Sequence, residues 1–224
     1  MNRGIRQDMV AECFGTFALV FSGTSAIVIN DLRQGAVTSL GIGLTFGMIV
    51  TAMVLTLGKV SGAHLNPAVT LGLYLAGRLE GKRLFPFWIS QCAGAFLGSG
   101  LVCVLFPYHL GLGATLPVGG IYPSFVLEMV LTAILMVVIL GVACGMPGDL
   151  HAMALAVGAV IALEAIFAGP ISGASMNPAR SLAPGLLSGQ TGSLWIYWTA
   201  PFLGAGFGVA LSHLLFDLRK ESPS

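Results

Sequence analysis

Ser172-Gly173-Ala174-Ser175-Met176-Asn177-Pro178-Ala179-Arg180-Ser181 repeats, in frame, an earlier stretch, Ser61-Gly62-Ala63-His64-Leu65-Asn66-Pro67-Ala68-Val69-Thr70. Six of the ten positions are identical and a seventh sets Thr against Ser. The two asparagines stand 111 positions apart in a chain of 224, so each half carries one copy at nearly the same place, the mark of a duplicated unit. In both copies Asn precedes Pro-Ala. Asparagine is a favoured N-cap and proline a favoured first helical residue, so the spacing predicts helices starting after Asn66 and after Asn177. Both copies follow long apolar runs, which points to two helix starts buried within a membrane.

Composition agrees. Hydrophobic residues make up 56% of the chain and charged residues 8%, against about 25% charged in a soluble domain. The formal net charge of +1 and the scatter of basic residues exclude a nucleic-acid surface. Cys13, Cys92, Cys103 and Cys144 all fall in apolar runs without metal-ligand spacing. They read as small core residues, neither disulfides nor a zinc site, and no metal or cofactor is expected.

Working outward from the motifs, apolar runs at 9–29, 36–57, 85–106, 122–144, 152–167 and 194–216 predict six spans. The first run exceeds the roughly 7–15-residue apolar core of a signal peptide, and more spans follow it. The run after Asn66 ends near Gly77 and the one after Asn177 near Leu187. At about 1.5 Å per residue each covers only part of a hydrocarbon core about 30 Å thick, so both must re-enter on the side they left. The pairs Gly43/Gly47 and Gly94/Gly98 mark close helix approaches, and the connector 107–120 is the longest loop. The fold class is an all-α membrane protein of six transmembrane helices plus two re-entrant half-helices, one domain over 1–224 with repeats of about 1–110 and 121–224.

With six crossings both termini share a face. That face collects Arg3, Arg6, Lys59, Arg78, Lys82, Arg83, Arg219 and Lys220, leaving Arg33 on the other and Arg180 inside. The excess of basic residues predicts a cytoplasmic location for both termini in a cell inner (plasma) membrane, and opposed directions for the two halves. The half-helix N-termini then meet near the bilayer midplane, each carrying roughly half a positive charge. Asn66 and Asn177 can donate hydrogen bonds there. The non-helical stretches before them offer carbonyls of Gly62, Ala63, His64 and Leu65, and of Gly173, Ser175 and Met176, as acceptors toward a passage. Such a passage would admit small neutral hydrogen-bonding molecules while its positive centre opposes cations and protons.

The two Asn-Pro-Ala motifs (Asn66, Pro67, Ala68; Asn177, Pro178, Ala179), Arg180 after the second, and the Glu12/Thr16 and Glu128/Thr132 spacings together resemble an aquaporin of the major intrinsic protein family over essentially the full length. The resemblance implies one pore per subunit, a homotetramer in the lipid bilayer, and a selectivity filter at Phe46, Ala165, Ala174 and Arg180. Water-selective relatives carry His where this chain has Ala165, so a wider, less polar constriction is expected. Ser181 stands where glycerol facilitators usually have Asp, and Tyr197-Trp198 resembles the water-channel pattern. The run from Gly169 to Met176 is similar to the plant nodulin-like branch and its bacterial relatives. The resulting expectation is a passive channel, not an enzyme, for water and small uncharged solutes such as glycerol.

Individual residues leave alternatives open. Phe46 either packs or forms the filter; Arg180 either snorkels or faces the pore, and charge at that depth favours the pore. His64 either lines the pore with its ring or packs it beside the loop. Glu12 and Glu128 are expected to accept N–H groups from the re-entrant loops. Glu164 either partners Arg180 or satisfies local backbone groups, the second being the simpler reading. His109 in the long connector reads as a solvated loop residue, the alternative being an influence on the entrance. Inverted repeats with broken helices also describe ion-coupled secondary transporters, yet no paired intramembrane Asp/Glu suggests a coupling site. No nucleophile with a nearby base suggests an enzyme.

Overall fold

The computed structural model describes residues 4–216 and 218. Arg3, Arg219 and Lys220, used above to orient the chain, lie outside the described residues. Among the described residues the chain forms α1 (Ile5–Leu32), α2 (Thr38–Ser61), α3 (Pro67–Leu75), α4 (Gly81–Leu105), α5 (Ile121–Gly145), α6 (Leu150–Ser172), α7 (Pro178–Leu187) and α8 (Leu194–Leu215). Six are long and apolar enough to cross a membrane. The other two, α3 and α7, have 9 and 10 residues, half a crossing each at about 1.5 Å per residue.

Five of the six spans run past their apolar stretches at one end or both. Asp8 lies inside α1, buried, with Arg83 Nη1 donating to its Oδ2 at 2.6 Å. Lys59 lies within the last turn of α2 rather than beyond it. Helix α6 continues past the expected end at Phe167, through Pro170, to Ser172. Both α2 and α6 stop at a left-handed glycine, Gly62 at φ 94° and Gly173 at φ 87°, which carries the chain into a re-entrant loop. Helix α3 ends earlier than Gly77. There Gly77 at φ 72° and the Arg78 N–H donating to Leu73 O close the helix with a Schellman-type bond.

The helices pair α1 with α4, α2 with α6 and α5 with α8, while the short helices wedge between α4 and α8. Glycines set these distances. A Cβ on Gly43 would stand 2.7 Å from Ala162 O on α6, and one on Gly98 would stand 2.9 Å from Phe17 O on α1. Both expected pairs therefore sit at helix crossings. A third pair, Gly204/Gly208, does the same for α8 on α5, where a Cβ on Gly208 would stand 2.6 Å from Ala133 O. It mirrors Gly94/Gly98 in the other half.

Outward, Phe14, Met48, Ile89, Leu97, Leu155, Leu163 and Phe207 are exposed. Apolar side chains displayed all round the bundle need a hydrocarbon solvent, so this is a multi-pass membrane protein. The cysteine expectation is corrected in part. All four are free thiols, but Cys103 is exposed and the other three are only half-buried, because in a membrane span an apolar residue is equally at home facing lipid.

Candidate pore

The two re-entrant loops fold alike. Ala63 (φ 49°) and Leu65 (φ 54°) in one loop, Ala174 (φ 41°) and Met176 (φ 52°) in the other, are all left-handed. Such a conformation costs a side-chain-bearing residue about 1–2 kcal/mol. Two buried carboxylates hold it. Glu12 Oε1 accepts from Ser61 Oγ at 2.6 Å and His64 N at 2.9 Å, while Oε2 accepts from Leu65 N at 2.7 Å and Gln91 Nε2 at 2.8 Å. Glu128 Oε1 accepts from Ser172 Oγ at 2.7 Å and Ser175 N at 2.9 Å, and Oε2 from Met176 N at 2.8 Å. With the N–H groups turned toward the carboxylates, the intervening carbonyls are free to face elsewhere. Each charge-assisted bond contributes about 1.5–3 kcal/mol, enough to offset the strain.

The loops lead into the half-helices. Asn66 Oδ1 accepts from Ala68 N at 2.8 Å and Asn177 Oδ1 from Ala179 N at 3.1 Å, each asparagine capping its own helix. The amide ends cross over. Asn66 Nδ2 donates to Met176 O at 2.8 Å, and Asn177 Nδ2 donates to Leu65 O at 2.9 Å. The two helix N-termini are thereby locked head to head. Each amide keeps a second N–H, and each of the two carbonyls a second lone pair. Leu65 and Met176 are thus not wholly free acceptors, as a simple ladder of carbonyls would have them.

A cavity of about 240 Å³ runs past this junction. It is lined by Gly62, Ala63, His64, Leu65 and Asn66, by Ala174, Ser175, Met176 and Asn177, and by apolar residues including Val50, Val157 and Ile161. A second cavity of about 370 Å³, lined by Asp31, Ser39 and Gly173, opens beyond it. Phe46, Ala165 and Arg180 line both, so they stand between the two. Arg180 is 2% exposed. Its Nη1 donates to Gly113 O at 3.0 Å, and its Cζ lies 5.0 Å from the centre of the Phe46 ring, a cation–π distance.

The sequence pattern of the family described as "Major intrinsic protein" matches residues 2–212. The chain belongs to the major intrinsic protein family. It is similar to "Aquaporin NIP1-1" of Zea mays, 42% identical over 210 residues that cover 93% of this chain and 74% of the relative. It is likewise similar to "Nodulin-26" of Glycine max, 38% identical over 89% of this chain and 74% of that one. These relatives agree with the nodulin-like features around the second motif. Among solved structures, the aquaglyceroporin from Plasmodium falciparum superposes with a TM-score of 0.83 at 27% identity, covering 93% of this chain and 95% of that one.

In this major intrinsic protein several supporting residues escaped sequence reasoning. Ser61 and Ser172 open the repeated motif at an identical position, which was the available signal for their paired role against Glu12 and Glu128. Gln91 Nε2 also donates to Thr70 Oγ1, whose hydroxyl donates to Asn66 O. Thr115 Oγ1 donates to Ser181 Oγ at 2.8 Å, and Tyr197 O–H to Ser172 O at 2.7 Å. Gly113 lies in the connector at φ 70°, pressed against Thr24, and no local pattern ties it to Arg180.

Three side chains can be placed. The His64 ring packs edge-on to Phe87 at 5.1 Å between ring centres, with Nδ1 3.2 Å from Thr70 Oγ1, while His64 also lines the cavity, so the residue combines both alternatives. His109 is no solvated loop residue: its Nδ1 accepts from Leu112 N at 3.0 Å, and its Nε2 lies 3.3 Å from Asp31 Oδ2 at the outer cavity. Glu164 satisfies neither expectation. Both carboxyl oxygens are buried without a hydrogen-bond partner among the described residues, and no ion pair joins it to Arg180.

Proposed function

We propose that the chain is a passive channel for water and small uncharged solutes such as glycerol. One observation carries the reading: two half-helices, locked N-terminus to N-terminus by exchanged asparagine bonds, flank a cavity that shares Phe46, Ala165 and Arg180 with a second one. Water or a hydroxyl solute finds acceptors in the loop carbonyls and donors in the remaining asparagine N–H groups. A cation meets the positive ends of α3 and α7 and then the Arg180 guanidinium. Family membership, and relatives named aquaporin and aquaglyceroporin, support the same reading.

In this reading Phe46, Ala165, Ala174 and Arg180 form the filter, with small Ala165 leaving width for glycerol. Glu12 and Glu128 are loop anchors rather than coupling carboxylates, so no ion gradient is needed. The full chain acts as one domain of two inverted repeats, with cytoplasmic termini, in the cell's inner membrane as a homotetramer. Stopped-flow light scattering on vesicles holding the purified protein tests the function. Water efflux and glycerol entry should both exceed those of empty vesicles and ignore any imposed ion gradient. Glycerol entry that follows a sodium or proton gradient would indicate a carrier.

A further inference from the structure

Glu164 sits on α6 one residue before Ala165, which lines both cavities. The side chain is 3% exposed, and both of its oxygens are buried without a partner among the described residues. The other buried carboxylates are treated differently: Asp8 has the Arg83 guanidinium at 2.6 Å. Glu12 gathers four donors and Glu128 three, including main-chain N–H groups of the re-entrant loops. A carboxylate is stable at such depth only with donors of that kind or a cation. Without them the ionised form is costlier than the uncharged acid, and the group takes up a proton instead.

The charged and titratable groups around it do not supply a counter-charge. On α5, which packs against α6, the buried carboxylate is Glu128, already engaged by Ser172, Ser175 and Met176. Helix α2 offers Lys59 only at its far end, and α6 itself only His151 in its first turn. Arg180 on α7 donates to Gly113 O instead, and Tyr197 on α8 donates to Ser172 O.

We infer that Glu164 is an uncharged carboxylic acid in the working channel and that its neutrality is a determinant of ion exclusion. An ionised Glu164 would add a negative charge one residue from Ala165 and oppose the positive potential of Arg180 and of the half-helix ends. The uncharged acid leaves that potential intact. This rests on the channel reading for its consequence but not for its first claim, and the readouts separate the two.

Purified full-length protein in phospholipid vesicles at neutral pH should show the infrared carbonyl stretch of a protonated carboxyl, and Glu164→Gln should lose that band. Carboxylate bands lost in its place would overturn the inference. Dicyclohexylcarbodiimide, an apolar reagent whose C=N bond takes up the O–H of an uncharged carboxylic acid to give an acylisourea that rearranges to a stable acylurea, should label the wild-type peptide containing Glu164. This second readout needs no variant to fold, since the comparison is with Glu12 and Glu128 in the same folded sample. Glu164 labelled no more than those two would count against it. For ion exclusion, the neutral isostere Glu164→Gln should keep potassium out at neutral pH as wild type does. At strongly alkaline pH wild type should leak potassium about tenfold faster, the response to about 1.4 kcal/mol off the barrier, while Glu164→Gln should not. A variant that leaks at neutral pH, or an equal alkaline leak in both, would overturn the second claim. Vesicles with no water flux at all would sink the channel reading and leave the infrared result standing.

Discussion

Arg180 is held by a carbonyl and a ring, not by a carboxylate. Gly113 O takes one guanidinium nitrogen and Phe46 lies under its carbon, so its charge is positioned without being neutralised. Replacing it with valine removes one unit of positive charge from a low-dielectric passage. Arg180→Val should retain water flow and raise cation conductance by about tenfold or more, read as current across planar bilayers. In the proposed filter, Ala165 acts by what it omits. Ala165→His adds bulk and a donor between Phe46 and Arg180, and should lower glycerol flux by about tenfold with water flow preserved, read by stopped-flow scattering. Equal loss of both would remove Ala165 from the filter.

At the level of elements, α3 and α7 are too short to be stable by themselves in water or lipid and depend on their ends. The caps at Asn66 and Asn177, the exchanged amides and the carboxylates at Glu12 and Glu128 all act on the same few residues. Glu128→Gln replaces an acceptor oxygen by an NH2 group facing donors from Ser172, Ser175 and Met176. At least one buried donor is stranded, at a cost of about 1–3 kcal/mol, measurable as a lower melting temperature in detergent. A larger fall in water flux than in stability would follow from a loop that loses its left-handed backbone. The helix crossings offer a contrasting case. Gly204→Leu drives a side chain into Met129 and Thr132 of α5 and should destabilise the bundle by about 1–3 kcal/mol, with whatever protein survives keeping its selectivity.

The whole molecule is two copies of one unit turned against each other. Glycines 47, 94 and 98 have counterparts in Gly158, Gly204 and Gly208, and the Glu12 anchor has its counterpart in Glu128. Opposed units bring one half-helix in from each face and place the junction of their N-termini inside the bundle. An epitope attached at either terminus should be digested by protease only from the cytoplasmic side of sealed membranes. Cleavage of one tag from each side would break the six-span count.

Much of this was legible in the chain. The half-helices, their first residues and the meeting of Asn66 with Asn177 follow from a repeated cap, a proline and a run too short to cross, because capping and helix length are local properties. The anchors Glu12 and Glu128 were legible as well, since a buried carboxylate in an apolar run needs donors and the loops have them to give. The partner of Arg180, the pairing of His109 with Asp31 and the isolation of Glu164 were not. Each depends on which distant segment packs beside it: a connector glycine in the first case, a helix end in the second, and in the third neighbouring helices that bring no donor. Sequence by itself determined where the short helices begin and that lipid surrounds them. Tertiary structure alone decided which charges found partners, because hydrogen bonds form between groups that packing has brought within reach, whatever their separation along the chain.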